Sequence, residues 1–180
     1  MAVDEALLEA VGNGQSLACL RLYAWEPACV SIGYAQPCTD IDQERLAQFG
    51  WDEVRRPTGG RAILHTDELT YSVITPLNEP RVAGGVLESY QRLSKALLSA
   101  LQLLHIPAES NPVGPSDANQ RSAAVCFETP SNYEIVVNGK KLVGSAQARR
   151  KNGVLQHGTL PLWGDLTRIT KVLYFSNEAN

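Results

Sequence analysis

The chain has 180 residues, of which 44% are apolar and 19% are charged, and its formal net charge is −3. This length suits a single domain with a sizeable core, and the slightly acidic balance disfavours nucleic acid as the main partner. No apolar run approaches the roughly 18 residues of a membrane-spanning helix, and the acidic, amphipathic N-terminus lacks the pattern of a signal peptide. The sequence therefore predicts a cytoplasmic protein that binds neither nucleic acid nor membrane.

The first quarter of the chain predicts a helix, two strands and a second helix. An amphipathic pattern followed by Gly-Asn-Gly predicts a helix over residues 4–11. Two alternating apolar runs joined by a Glu-Pro turn predict strands over residues 18–25 and 28–34. A further helix is predicted over residues 40–49.

The signals at the ends of this second helix are Thr39 or Asp40 as its N-cap and Gly50 just past its last residue. Residues 51–76 then predict a strand, a Gly-Gly loop, a strand, a turn and a third strand. The strongest helix prediction covers residues 86–104, where apolar residues recur at steps of three and four and define one face. The residues of that face are Leu87, Tyr90, Leu93, Leu97, Leu101 and Leu104.

The last part of the chain predicts a three-stranded meander. Residues 107–122 are rich in Pro, Ser and Asn and predict a long loop, a kind that is often functional. Asn138-Gly139 and Asn152-Gly153 are strong hairpin signals. The strands that they join are predicted over residues 133–137, 141–149 and 154–160. A short helix over residues 165–174 completes an α+β fold with a mixed, mainly antiparallel sheet.

A glycine-rich loop lies within RRPTGGRAILH, residues 55–65. Gly59 and Gly60 allow backbone N–H groups to approach an anionic or carbonyl ligand closely. Arg56 and Arg61 flank the pair and are suited to hold a phosphate. The alternative is a plain hairpin turn with solvated arginines, and the spacing alone does not separate the two interpretations.

The cysteines and histidines do not indicate a metal site. None of the four cysteines forms a C-x-x-C pair and the three histidines are scattered, so we expect no bound metal and free thiols. Cys19 and Cys29 lie in alternating apolar runs and are predicted to be core residues. His65 and His157, taken alone, are more often satisfied polar residues than catalytic bases.

Cys126 differs from the other cysteines because it follows the long loop and precedes a Pro-Ser-Asn turn. A nucleophilic cysteine needs a nearby cation that favours the thiolate. Lys141 starts a strand after a turn and a hairpin that reverse the chain, so the two side chains are able to meet. Lys140 is the competing cation, and strand alternation places it on the opposite face. The alternative is that Cys126 is a buried, inert thiol.

Three segments resemble the biotin/lipoate protein ligase superfamily. RRPTGGRAILHTDELTYSV is similar to the superfamily's Arg-Arg-x-x-Gly-Gly block, and GKKLVGSAQARRKNGVLQHGTLPL is similar to its lysine motif with the following strand. CFETPSNYE resembles the cysteine motif of one branch, the octanoyltransferases that take an octanoyl group from acyl carrier protein. The segments lie between residues 55 and 162, and their order matches that of the family.

The resemblance implies roles for individual residues. Cys126 matches the cysteine that bears the acyl thioester, and Lys141 matches the lysine that lowers the pKa of that cysteine in this branch. In the ATP-using ligases the same lysine contacts the acyl-adenylate. Further positions match the substrate-binding loop and strands of the family. They are Arg56, Gly59, Gly60, Arg61, His65, Tyr71, Gly144, Ser145, Gln147, His157, Gly158 and Thr159.

The implied reaction is octanoyl transfer in protein lipoylation, through a Cys126 thioester and without ATP or another cofactor. The implied partners are octanoyl–acyl carrier protein and, as acceptor, a lipoyl domain or the glycine-cleavage H protein. The alternatives are an ATP-dependent lipoate–protein ligase, an amidotransferase that moves octanoyl between lipoyl domains, and an inactive relative. Arg61 and Thr66 stand where the ATP-using ligases commonly have Gly and Asp, which disfavours adenylation.

The resemblance also bears on domain organisation. Members of the branch usually begin with another strand and turn and usually continue well beyond the position of residue 180. We therefore expect one biotin/lipoate ligase-like catalytic domain over residues 1–180, truncated at both ends.

Overall fold

The computed structural model describes residues 1–111, 134–150 and 152–174. They contain three α-helices, which are α1 (Ala2–Gly12), α2 (Gln43–Gln48) and α3 (Val86–Leu103). They also contain nine strands. The strands are β1 (Cys19–Tyr23), β2 (Cys29–Ile32), β3 (Asp52–Arg55), β4 (Ile63–His65), β5 (Glu68–Pro76), β6 (Glu109–Asn111), β7 (Glu134–Val137), β8 (Lys140–Arg149) and β9 (Gly153–Pro161).

The strands form two sheets, one large and one small. The large sheet has six strands in the order β1-β5-β9-β8-β7-β6, and all its neighbours are antiparallel. The small sheet has the order β3-β2-β4, with β2 parallel to β3 and antiparallel to β4. The predicted α+β class with a mixed, mainly antiparallel architecture is confirmed. The meander β7-β8-β9 is also present where the sequence predicts it.

Helices α1 and α3 cover opposite faces of the large sheet. On β5, Tyr71 belongs to the apolar cluster that packs against α3, whereas the neighbouring Ser72 bonds to α1. Such alternation is what a strand buried on both faces requires. A separate core lies under the small sheet and α2, and its members include Val30, Ile32 and Leu46. In the described residues, no helix is both long and apolar enough to span a membrane.

Four predicted elements differ in detail from the structure. Strands β1 and β2 are present, yet they belong to different sheets, because β2 is buried throughout between two neighbours and β1 lies at an edge. Helix α2 begins later than predicted, since Asp42 is the N-cap that accepts from the Arg45 amide at 3.0 Å. The predicted helix over 165–174 is a 3-10 helix, Leu166–Val172.

The predicted apolar face of α3 is only partly buried. Leu101 is buried and Leu97 is packed in the cluster beside it. By contrast, Leu87 and Leu104 are 53% and 69% exposed. Two serines are also buried on this helix, Ser89 and Ser94. Small side chains let a helix approach its neighbours closely, so they occupy places that an apolar pattern alone does not reveal.

A buried carboxylate anchors α1 to the large sheet. Asp4 is fully buried, and it forms an ion pair with Arg21 of β1. Its oxygens also accept from the Tyr23 hydroxyl at 3.0 Å and from the Ser72 hydroxyl at 2.9 Å. Burial by itself raises the pKa of Asp4, but the nearby His157 ring, the hydrogen bonds from Ser72 and Tyr23 and the Arg21 charge outweigh it and lower the pKa to about 2.

Replacement of Asp4 should therefore destabilise the protein in a pH-dependent way. The pKa of Asp4 in the folded protein lies below its ordinary value, so the stabilisation is present above about pH 4 and is lost as pH falls toward 2. We expect Asp4→Asn to lower the free energy of unfolding by about 2 kcal/mol at pH 7, measured by denaturant titration. The difference from wild type should shrink between pH 5 and pH 2. Glu5→Gln, an exposed change on the same helix, is the control and should have little effect. A pH-independent loss in Asp4→Asn would contradict the electrostatic account.

Candidate active site

A cavity of about 270 Å³ lies where the loop between β3 and β4 meets strands β8 and β9. Its described lining combines polar side chains with three apolar ones, Met1, Ile63 and Ala146. The other lining residues are Arg56, Gly59, Gly60, His65, Thr70, Glu134, Gly144, Ser145, Gln147, His157, Gly158 and Thr159. Most of the substrate-binding residues predicted from sequence are thus brought together around one cavity.

Arg56 holds the glycine-rich loop in its conformation through hydrogen bonds. It is only 3% exposed, and its guanidinium donates to the carbonyl oxygens of Ser31, Gly59 and Arg61 and to the Ser31 hydroxyl. These five bonds match the five N–H groups that a guanidinium carries. The interpretation of this segment as a plain turn with solvated arginines is therefore wrong for Arg56. Arg61 is partly exposed and is not among the described residues that line the cavity.

The loop also depends on a close backbone approach between two glycines. A Cβ atom built on Gly33 would lie 2.0 Å from the carbonyl oxygen of Gly60. Gly60 itself has a φ of 99°, a conformation that favours glycine. Gly59 has open space where its Cβ would be. The two glycines of the motif thus serve different purposes, since Gly60 is required by backbone conformation and Gly59 leaves room in the cavity wall.

Two histidines are held between the sheets by polar partners. His65 Nε2 lies 2.6 Å from Ser31 Oγ, its Nδ1 lies 2.7 Å from Glu68 Oε1, and its ring stacks on Trp25 at 4.4 Å. The sequence favoured such a satisfied polar role for His65 over that of a catalytic base. Because Glu68 takes the Nδ1 position, the ring orientation is fixed at the cavity wall.

His157 connects the glycine-rich loop to helix α1. Its Nε2 lies 2.6 Å from Thr58 Oγ1, and its Nδ1 lies 3.7 Å from Asp4 Oδ2. Burial lowers the pKa of His157, so the ring is neutral at pH 7. A neutral ring that carries its proton on Nδ1, facing the carboxylate, accepts a hydrogen bond from the Thr58 hydroxyl at Nε2. His157 therefore fixes the loop rather than supplying charge to the cavity.

A buried ion pair between strands β7 and β8 lies beside the cavity. Lys141 Nζ donates to Glu134 Oε1 at 2.5 Å, and each side chain is only 4% exposed. Glu134 lines the cavity, so the pair places a fixed carboxylate and ammonium beside it. Lys140, the neighbouring candidate, is exposed, and the prediction that it lies on the opposite face is confirmed.

The hairpin register explains how Glu134 and Lys141 meet. Asn138 and Gly139 have φ values of 51° and 73°, the two positive values of a type I′ turn. This two-residue turn pairs Val136 with Lys141, and Glu134 lies two residues before Val136 on the same face. Glu134 was not among the site residues predicted from sequence. The Asn-Gly turn was the sequence feature that indicated this contact, because it fixes which residues of the two strands lie opposite one another.

A β-bulge separates Lys141 from the apolar core. In a regular strand, Lys141 and Val143 would share one face of the sheet. The register shifts at this point, so that Val143 lies opposite Ile135 and one residue, Leu142, is extra. Val143 therefore joins the cluster that packs against α3, while Lys141 faces Glu134.

Tyr71 is another predicted site residue that the structure places outside the described cavity lining. It packs in the cluster on the α3 face, and its hydroxyl donates to Ser145 Oγ at 2.7 Å and accepts from Gln156 Nε2 at 3.2 Å. Burial raises the pKa of Tyr71. A Cβ on Gly158 would lie 2.7 Å from the ring, so that glycine makes room for Tyr71. Tyr71 thus supports the cavity from behind and is not among its described lining residues.

Gln147 continues this polar network on the α3 face. Its Nε2 donates to Gln156 at 3.1 Å and its Oε1 accepts from Ser89 of α3 at 3.0 Å. Cys126 lies outside the described residues, so its proximity to Lys141 stays a prediction. In the described ranges, no group of three or more His, Cys, Asp or Glu side chains is arranged to hold a metal ion.

The two glycine positions provide a matched pair of variants. Gly33→Ala should displace the loop that carries Gly60, because the new methyl group overlaps the Gly60 carbonyl oxygen. Gly59→Ala, which meets no atom within 4 Å, should leave the fold intact. We expect Gly33→Ala to lose about 1–3 kcal/mol of stability, as overpacked sites do. Thermal and denaturant unfolding measure both variants, and equal stabilities would contradict the close approach.

Comparison with known proteins gives the context for this cavity. A family model described as the lipoyl protein ligase A/B catalytic domain matches residues 1–180. The chain is 42% identical over 178 residues to octanoyltransferase LipM of Carboxydothermus hydrogenoformans and 45% identical over 184 residues to that of Kyrpidia tusciae. These alignments cover 98% and 99% of this chain but 65% and 66% of the relatives. The chain thus spans about two thirds of the length of these curated relatives.

Solved structures share the architecture. A lipoate-protein ligase A bound with ATP superposes with a TM-score of 0.71 at 25% identity, covering 96% of this chain and 67% of that one. The bi-partite lipoate protein ligase of Thermoplasma acidophilum superposes with a TM-score of 0.70 at 24% identity, covering 98% and 63%, which shows a common fold. Since the family model matches the chain from residue 1 to residue 180, the chain belongs to the lipoyl protein ligase A/B catalytic domain family.

Proposed function

We propose that the protein transfers an octanoyl group from acyl carrier protein to a lysine of a lipoyl domain or of the glycine-cleavage H protein. The reaction proceeds through a thioester on Cys126 and uses no ATP. The observation that carries this proposal is the buried Lys141 ammonium beside the cavity, within the sheet that also supplies His157 and Thr159. The similarity to octanoyltransferases LipM at 42% and 45% identity supports the same activity.

The cavity suits a short acyl chain. Its volume of about 270 Å³ lies just below the range of pockets that take drug-sized ligands, about 300–1,000 Å³. Each buried CH₂ group contributes about 0.8 kcal/mol, so an eight-carbon chain supplies binding energy without charge recognition. Ile63 and Ala146 offer apolar contact for that chain, and the glycines leave space for it.

The chemistry divides into two acyl transfers. The Cys126 thiolate attacks the carbonyl carbon of the octanoyl thioester, the carrier thiolate leaves, and one thioester replaces another at almost no cost in free energy. The amine of the acceptor lysine then attacks the Cys126 thioester. The Cys126 thiolate leaves, the nitrogen gives up its proton, and an amide forms. The change from thioester to amide is favourable and drives the second transfer.

The glycine-rich loop is suited to stabilise the oxyanion of both transfers. The Gly59 carbonyl oxygen accepts from Arg56, and in a trans peptide the following N–H points the opposite way. The Gly60 N–H is therefore directed away from the guanidinium. A preorganised backbone N–H at the edge of a cavity is the kind of donor that stabilises a tetrahedral intermediate.

The alternative of an ATP-dependent ligase finds less support at Arg56. A phosphate-binding arginine needs N–H groups that can turn to the ligand. Within the described residues, five hydrogen bonds of Arg56 go to Ser31 and to loop carbonyl groups, so a phosphate would have to displace them. This arrangement favours a reaction without nucleotide.

Formation of the acyl-enzyme tests the proposal directly. After incubation with octanoyl–acyl carrier protein and no ATP, intact-mass spectrometry should show one octanoyl group on the wild-type chain and none on Cys126→Ser, because a serine hydroxyl without a base is a much poorer nucleophile. Cys38→Ser removes an exposed thiol and is the matched control, which should be acylated like wild type. Lipoylation that requires ATP and persists in Cys126→Ser would establish the ligase instead.

The pH dependence of Lys141→Met tests the activating role of the ammonium. An opposite charge a few ångströms away typically lowers a pKa by about 1–3 units, and a thiol near its reference pKa of about 8.5 is mostly protonated at pH 7. We expect Lys141→Met to form acyl-enzyme slowly at pH 7 and to recover as pH rises toward 9, where the thiolate forms without help. Lys140→Met, on the exposed neighbour, should keep the wild-type profile. A rate that is low and flat across this range would show that Lys141 acts on the substrate or the oxyanion.

A further inference from the structure

We propose that Glu134 is a positioning residue for Lys141, and that it holds the ammonium at the wall of the acyl cavity during acyl-enzyme formation. The inference rests on the proposed octanoyl transfer and adds a residue that the sequence motifs did not single out. It stands on the burial of both side chains, on their contact and on the place of Glu134 in the cavity lining.

Lys141 needs such a partner because its side chain is long and flexible. Its four rotatable bonds allow the ammonium of a lysine many positions, and holding it in one position costs rotamer entropy. The carboxylate of Glu134 lies 2.5 Å from Nζ and sits on β7, one strand away. The type I′ turn fixes the register of the two strands, so the carboxylate is held at a set distance from the Lys141 backbone.

The pair borders the cavity through its carboxylate. Glu134 is a lining residue, whereas Lys141 is not among the described residues of the lining. The ammonium thus lies directly behind the cavity wall, where it donates a hydrogen bond to Glu134 Oε1. A shift of this carboxylate would move the positive charge relative to the reacting group, and a misplacement of about 1 Å can reduce a rate about 100-fold.

Fold stability alone does not explain the pair. Desolvation of two charges is costly, and a buried ion pair contributes little more than apolar residues of similar volume. What the pair does supply is a positive charge with a defined position next to the cavity. Loss of one partner removes one charge of a buried pair, which is expected to destabilise the protein, so stability must be measured beside the rate.

A double-mutant cycle tests this role in the full chain. Glu134→Gln keeps the size of the side chain and removes its charge, while Glu134→Asp keeps the charge and shortens the side chain. The cycle is completed by Lys141→Met and by Glu134→Gln with Lys141→Met. Glu109→Gln is the matched control, since Glu109 is an exposed carboxylate on β6 opposite Val136. The rate of acyl-enzyme formation, the KM for octanoyl–acyl carrier protein and the unfolding transition are measured for each.

We expect Glu134→Gln to reduce the rate constant about 10- to 100-fold with little change in KM, and Glu134→Asp to recover part of it. The double variant should be no slower than Lys141→Met alone, because Glu134 acts through that lysine. Glu109→Gln should behave like wild type. The unfolding transition gives the fraction of each variant that is folded at the assay temperature.

Two results would overturn the inference while leaving octanoyl transfer intact. One is a Glu134→Gln rate, corrected for the folded fraction, that equals wild type. The other is a double variant whose loss is the product of the two single losses, which would mean that Glu134 acts independently of Lys141. Absence of acyl-enzyme in the folded wild-type protein would instead overturn the proposed function, and this inference with it.

Discussion

The contact between the two sheets is the constraint on which the cavity depends. The glycine-rich loop leaves the small sheet after β3 and is fixed to the large sheet by the 2.6 Å contact of Thr58 with His157. Arg56 ties the same loop back to Ser31 of β2. His65 and Glu68 make a second bridge between the sheets at 2.7 Å. Without these bridges, the loop would have no fixed position over strands β8 and β9, and the cavity would be open on the side that the loop covers.

Charge in this region is buried but compensated. Asp4 pairs with Arg21, Glu134 pairs with Lys141, and the Arg56 guanidinium is surrounded by carbonyl oxygens. Burial of a charge without such partners is unfavourable by several kcal/mol, which explains why each one has a dedicated acceptor or donor. The result is a cavity whose walls carry fixed charges and dipoles while its apolar contacts remain available to an acyl chain.

Local patterns in the sequence predicted most of the helices and strands. They did not reveal the polar contacts between residues that lie far apart in the chain. The meander was predictable because Asn-Gly turns and alternation act over a few residues, and α3 was predictable from its period. The start of α2 was predicted too early, because Cys38–Asp40 form a 3-10 helix and Asp42 is the N-cap of α2. Asp4 and Thr58 gave no sign of their roles, since their partners lie far along the chain.

The family motifs identified most residues of the cavity lining. They did not distinguish these residues from the residues that pack behind the lining. Tyr71 belongs to the same sequence block as His65, and only the alternation of β5 in the folded sheet places its ring toward α3. Glu134 is the last residue of the segment CFETPSNYE, but the resemblance assigned no role to it. Such residues emerge when the register is known, because the register decides which side chains share a face.

The contacts on the two sides of the cavity differ in how far apart their partners lie along the sequence. Glu134 and Lys141 are seven residues apart, within one hairpin, so their contact has low contact order and can form as soon as the turn closes. Thr58 and His157 are 99 residues apart and can meet only after the large sheet has assembled. We therefore expect the ion pair to form early in folding and the contact that fixes the glycine-rich loop to form late. A newly made chain would hold a formed charge pair before it holds a closed cavity.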